Sequence, residues 1–251
     1  MMASMNDGRE ENGIGRPGDP FATTQWSLVL RAGGGAGAGA DAALALLCQR
    51  YWPPLYGYVR RRVPDVESAQ DLTQEFFVRL LEKNALAAAD PQRGRFRAFL
   101  LTAMKNFLEN ARDHDRAQKR GGGRRPISLD WEQGESRLRI EPISTDTPER
   151  IFEREWTHRL LELVLDRLSA EYARSGKGAL FGRLAGFLAD AGAGYAGAAA
   201  DLGMTEPAVR QAVHRLRKRY RALLRDEVAR TLGDPADVDA ELRSLFAALG
   251  P

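Results

Sequence analysis

The chain has one cysteine, Cys48, in 251 residues, so no intramolecular disulfide can staple it. Histidine is almost as scarce: His114, His158 and His214 stand far apart, and none falls at a His/Cys spacing that would hold zinc. Asp113-His114-Asp115 is the one cluster of acid and histidine, and it reads as a polar stretch of a charged helix. Gly176-Lys177-Gly178 lacks the rest of a phosphate loop, since position 171 is Glu171 and no Ser or Thr follows the lysine; it reads as a connection between helices. Nothing here assembles a catalytic set, so no enzyme, metal or cofactor is expected. Long apolar runs are missing, which leaves no segment able to span a bilayer, and the N-terminus has no apolar signal core, so the expected setting is a reducing cytoplasm. Apolar residues nowhere alternate at period two over the length of a strand. The fold class is therefore expected to be all-α.

Charge is abundant and nearly balanced, 37 Lys and Arg against 34 Asp and Glu, so the net +3 says little and basicity has to be read by segment. It concentrates in two places, Arg112 to Arg125 and the stretch after Ala208. From Ala208 to Arg230 there are eight basic residues against Asp226 and Glu227, a net +6, and such an excess on one helix suits a polyanionic partner.

That second stretch belongs to a larger pattern, YAGAAADLGMTEPAVRQAVHRLRKRYR over Tyr195 to Arg221. Ala199 is small where one helix must let another approach, and Gly203 falls where a tight turn needs positive φ. Thr205 is placed to cap the next helix, and Pro207 lies in its first turn, where a missing N–H costs no bond. Val209, Val213, Leu216 and Tyr220 form an i, i+4, i+7, i+11 apolar stripe. Gln211, His214, Arg215 and Lys218 point away from it, flanked by Arg210 and Arg217. The spacing predicts a helix-turn-helix whose second helix offers donors to phosphates and base edges.

The rest divides by composition. Residues 1–20 are polar with Gly and Pro, an expected disordered tail. A short helix is expected around Trp26, Val29 and Leu30, then a flexible glycine-rich loop over Ala32 to Ala40. Asp41 opens a helical run carrying Leu44, Leu47, Tyr51, Leu55 and Val59, which Pro53 and Pro54 are expected to kink or break. Pro64-Asp65 starts a helix that turns Ala69, Leu72, Phe76, Phe77, Leu80 and Leu81 inward and leaves Asp71, Gln74, Glu75 and Arg79 outside. Gly94 to Asn110 gives another, with Phe96, Phe99, Leu100, Ala103, Met104 and Phe107 on its apolar side, running into the charged Ala111 to Arg120. Residues 121–147 read as a flexible linker in which Ile127, Leu129 and Trp131 can anchor. Thr147-Pro148 opens a second helical unit with Phe152, Trp156, Leu160, Leu163, Val164 and Leu168. The expected plan is two small helical domains, 21–120 and 148–232, joined by 121–147 and followed by a helical extension, 233–251.

DLTQEFFVRLL at Asp71 to Leu81, GRFRAFLLTAMKNFL at Gly94 to Leu108 and the arginine-rich helix-turn-helix resemble, in that order, region 2.2, regions 2.3 to 2.4 and region 4 of a bacterial RNA polymerase sigma factor. With TTQWSLVLRAG near the start and RYWPPLYGYVRRR next, the chain is most similar to the extracytoplasmic-function group of the sigma-70 family. The resemblance implies a non-enzymatic subunit that binds core RNA polymerase and promoter DNA and promotes initiation, with an anti-sigma factor as a conceivable regulator. It implies that Asp71, Gln74, Glu75 and Arg79 dock on the clamp helices of the largest subunit, with the flap as a further contact. It gives Asn106 a place near the flipped base of the minus-ten element, and Arg112, Arg116, Lys119 and Arg120 a place along the non-template strand. Thr205, Arg210, Gln211, His214, Arg215, Arg217 and Lys218 would meet the minus-thirty-five element. Ala212 and Pro207 depart from residues common in the family, arginine and glycine, so the minus-thirty-five preference does not transfer. Phe96 and Phe99 replace the tryptophan pair with which primary sigma factors wedge the duplex, and their spacing places them in the core. The competing readings are a stand-alone helix-turn-helix regulator and, less well supported, a nucleic-acid hydrolase.

Overall fold

The computed structural model describes residues 38–82, 94–115, 146–189 and 194–250, together with 29, 32–33, 86, 89–90, 131 and 136. Every regular element among them is helical. The α-helices are α1 (Ala38–Arg62), α2 (Val66–Glu82), α3 (Phe96–Asp115), α4 (Pro148–Arg174), α5 (Gly178–Leu184), α6 (Tyr195–Leu202), α7 (Glu206–Ala229) and α8 (Val238–Ala248), with short 3-10 turns at Ala185–Leu188 and Pro235–Asp237. No helix among the described residues is long and apolar enough to cross a membrane.

Local chemistry sets the helix starts. The Ser68 N–H donates to Asp65 Oδ2 at 2.7 Å, so Asp65 caps α2, and hydrogen bonding from the Ser68 side chain, together with that N–H, holds its carboxyl below the usual carboxylate range. Thr147 Oγ1 accepts from the Arg150 N–H at 3.3 Å, with Pro148 in the first turn of α4 as its fixed φ allows.

α1 starts earlier than expected, and of the kink or break expected at its prolines the break does not occur. Ala38, Gly39 and Ala40 form its first turn rather than the end of a loop, and the helix runs unbroken through Pro53 and Pro54. Each proline withholds an N–H and costs roughly 3 kcal/mol or more inside a helix. Residues 50–59 are all buried, however, and Tyr51, Trp52, Leu55, Tyr56, Tyr58 and Val59 each contribute about 1.5–3 kcal/mol when removed from water. Burial outweighs the two missing bonds.

α1 is the axis of the fold. α2 lies on one side of it, and α4 makes the most extensive helix pair with it. The Tyr51 and Trp156 rings stack with centroids 4.6 Å apart, 5° from parallel, while Phe96 meets Tyr51 edge-on at 5.3 Å. Trp131, the anchor expected in the 121–147 segment, meets Trp52 and Tyr56 edge-on at 5.5 and 5.2 Å; Ile127 and Leu129 lie outside the described residues. One apolar core continues from α1 through α4 to α7 and α8. The buried Arg50 of α1 reaches Glu227 of α7 at 3.5 Å, with Arg167 and Arg230 also within 4 Å of that carboxylate. Burial raises the pKa of Glu227 against the pull of Arg50, Arg230 and Arg167. Glu149 on α4 ties α3 and α1 through Lys105, at 2.8 Å, and Arg62, at 3.6 Å.

α8 closes the far side. It rests on α4 and α7, burying Val238, Glu241 and Leu245. α3 has no acidic residue in its own first turn, and Glu241 supplies one from α8 by pairing with Arg95 and Arg97.

Candidate nucleic-acid interface

The turn between α6 and α7 takes the form its residues demand. Gly203 ends α6 at φ 61°, a left-handed conformation that costs a side-chain-bearing residue about 1–2 kcal/mol. The Met204 N–H donates to Ala199 O at 2.9 Å and the Gly203 N–H to Ala200 O at 3.3 Å, a paired closure of the last helical carbonyls. Thr205 Oγ1 accepts from the Ala208 N–H at 3.4 Å, so Thr205 serves as the cap of α7. Ala198 and Ala199 are buried where α6 meets α7.

α7 then separates its faces as the spacing requires. Val209, Val213 and Leu216 are buried, and half-buried Tyr220 completes the stripe, its hydroxyl donating to Leu161 O at 3.4 Å and its pKa raised by burial. Arg210, Gln211, His214, Arg215, Lys218 and Arg221 are exposed. Among the described residues no carboxylate pairs with Arg210, Arg215, Lys218 or Arg221, and the Arg210 guanidinium rests 5.5 Å over the Tyr195 ring.

The other half of the helix's basic residues serve the fold. Arg217 turns inward and donates from Nε and Nη2 to Phe187 O at 3.1 and 2.7 Å, holding α7 to the 3-10 turn. Arg219 grips Glu171 with two bonds of 2.8 Å, Arg225 pairs with Asp239, and Arg230 lies 3.9 Å from Glu227. A net charge counted along the sequence therefore overstates what α7 offers a partner. The cations that meet no carboxylate among the described residues are Arg210, Arg215, Lys218 and Arg221.

On α2, Asp71 is exposed and Gln74, Glu75 and Arg79 are partly exposed along one side, while Ala69, Phe76, Phe77 and Leu80 are buried and Leu72 partly so. Arg79 Nη2 donates to Glu75 Oε1 at 2.6 Å and its guanidinium covers the Phe107 ring at 5.1 Å, so α2 presents this side already ordered by α3. On α3, Asn106 is exposed, in line with Thr102 and Asn110, opposite buried Leu100, Met104 and Phe107. Phe96 is buried and Phe99 half-buried, stacked on it at 5.9 Å; both pack rather than project as a wedge. Arg112 lies on the last turns of α3 and its side chain is outside those described; Arg116, Lys119 and Arg120 lie outside the described residues altogether.

Residues 47–120 match the family model of sigma-70 region 2. That segment is a sigma-70 region 2. Neither comparison with curated proteins nor comparison with solved structures gives a match. The matched segment spans α1 from Leu47 onward, all of α2 and the whole of α3, and a sigma-70 region 2 supports a role in promoter recognition and transcription initiation, with core RNA polymerase and promoter DNA as the partners it implies. No group of three or more His, Cys, Asp or Glu among the described residues could hold a metal ion.

Two features of the molecule escaped the sequence. The inward turn of Arg217 leaves no trace in periodicity, because a long side chain on the flank of a stripe can point either way. Glu227 did leave a signal: it interrupts the buried face that Leu223, Leu224 and Val228 continue, and a buried carboxylate requires a cation, which Arg50 provides.

Proposed function

We propose that the chain is a sigma factor of the extracytoplasmic-function type, with α7 reading the minus-thirty-five element and α3 acting at the minus-ten element. The observation that supports this most is the exposed polar face of α7 (Arg210, Gln211, His214, Arg215, Lys218), set by a glycine turn and a threonine cap in a chain that also carries sigma-70 region 2. Residues near the helix N-terminus reach bases, and later ones hold phosphates. Asp71, Gln74, Glu75 and Arg79 dock on the clamp helices of the polymerase largest subunit, while the helix-turn-helix unit meets the flap. Asn106 takes the flipped base of the opened duplex, a capture that offsets an unstacking cost of a few kcal/mol, and Arg112, Arg116, Lys119 and Arg120 follow the displaced strand. The protein acts as a non-enzymatic subunit in the cytoplasm, open to control by an anti-sigma factor.

The test is transcription from a promoter selected out of a randomised library with purified core polymerase. Transcripts that depend on the protein and disappear when Asp71, Gln74 and Glu75 are all replaced by Ala are expected. Promoter binding as tight without polymerase as with it, and no transcript, would favour a stand-alone regulator.

A further inference from the structure

One ion cluster joins the helix that carries Asn106 to the helix that follows the reader. Arg95 stands at the entrance to α3, its carbonyl accepting from the Ala98 and Phe99 N–H groups at 3.0 and 3.2 Å, and Arg97 lies in the first turn. Both guanidiniums converge on one carboxylate of α8. Arg97 Nη1 donates to Glu241 Oε1, Arg95 Nη2 lies 2.6 Å from Oε2, and Arg97 Nε also donates to Glu153 Oε2 at 2.9 Å. Glu241 is fully buried, whereas Arg95 remains 39% exposed at its side chain, so the cluster sits just beneath the surface.

α8 is lightly seated. Of its eleven residues, Val238 and Leu245 are the buried apolar ones, Leu242 is partly buried against the core, and Phe246 is 46% exposed. Its other fastenings include the exposed pair of Arg225 with Asp239 and the Thr157 hydroxyl on Leu245 O at 3.4 Å. A helix of this length is marginal in isolation, so its order depends on that seat and can be lost with it. Two guanidiniums that bind a carboxylate bind phosphate oxygens on the same geometric terms, and Glu153 still faces the buried Arg97 while one anion is exchanged for the other.

We propose that α8 is a clasp: its Glu241 carboxylate occupies a phosphate site formed by Arg95 and Arg97, and a single DNA strand reaches these arginines only when α8 lifts. The proposal rests on the reading of α3 as the strand-binding helix, and names what keeps the entrance of that helix from nucleic acid until then.

The experiment uses the full chain without polymerase and a fluorescent single-stranded oligonucleotide of about 12 nucleotides, titrated over a range of salt. Glu241→Gln keeps the shape of the side chain and removes its charge. It is expected to tighten binding roughly tenfold and to steepen the dependence of log K on log salt by about 0.7 for each phosphate gained. Adding Arg95→Gln to that variant is expected to cancel most of the gain. Leu245→Ala, which loosens α8 with all three charges in place, is expected to shift binding the same way. Helical content by circular dichroism identifies the folded variants. Wild-type affinity and salt slope in folded Glu241→Gln, or in Leu245→Ala should the first variant lose helix, would overturn the clasp and leave α8 a structural brace. Because no polymerase is present, that outcome is independent of promoter-directed transcription, whose absence would instead defeat the functional reading.

Discussion

α1 and α7 are nearly equal in length, 25 and 24 residues, yet they divide the work of the molecule between them. α1 is buried on every side over residues 50–59, even its prolines and Arg50, and touches solvent mainly at its ends. α7 buries one stripe and exposes a row of cations and an amide. The first is a support whose sequence is judged by volume. The second is an instrument whose outward residues can change without disturbing what lies beneath. Substitutions on α1 and its neighbours should therefore move stability, and substitutions on the outer face of α7 should move binding alone.

The sharpest way to break that contrast is Trp156→Ala, which removes the ring stacked on Tyr51 and is expected to cost about 3–5 kcal/mol in chemical denaturation. A loss below 1 kcal/mol would mean that α1 is not the support described. Next in size, Arg210→Ala or Gln211→Ala should leave the denaturation midpoint in place and change promoter preference by about 1–3 kcal/mol per lost bidentate contact. Lys218→Ala should instead weaken all promoters alike and lower the salt slope by about one unit. A promoter-library selection that returns the wild-type preference for both of the first two variants would remove α7 from the role of reader. Gly203→Ala tests the joint between α6 and α7: a Cβ there meets no atom within 4 Å, so backbone strain alone should cost about 1–2 kcal/mol, visible in thermal unfolding.

The smallest effect concerns the seam between α4 and the pair α1 and α3. Lys105, and to a lesser degree Arg62, hold the Glu149 carboxyl below its ordinary value of 4.5. A lowered folded-state pKa contributes stability above the unfolded value and loses it as pH falls through the folded one. The group is partly exposed, so the contribution should be no more than about 0.2–1 kcal/mol. Comparing Glu149→Gln with wild type, the difference in stability should be present at pH 7 and vanish below the carboxylate range.

Much of this was legible in the residues because the signals were local. The Gly203 turn, the Thr205 and Thr147 caps and the α7 stripe each depend on a few neighbours in the chain, and each is seen in the structure. Pro53 and Pro54 misled for the opposite reason: propensity is local, whereas the burial that overrides it comes from α2 and α4, distant in sequence. The same limit hid the pairing of Arg50 with Glu227, 177 residues away, and the inward use of Arg217. The candidate site was readable as a row of cations, but which of them stay free depended on where Phe187, Glu171 and Asp239 came to lie.

Cys48, first met as the absence of a disulfide, turns the body of α1 into a clock. Its thiol is buried and its pKa is pushed up to about 12 by that burial, so at pH 7 only on the order of one molecule in 10⁵ carries the reactive thiolate in the closed state. An alkylating reagent consequently waits for the helix to part from its neighbours. Since the chain has no other thiol, each labelled molecule records one such opening at one known place. The ratio of labelling rates in folded and denatured protein then measures how often the support at the centre of the molecule gives way.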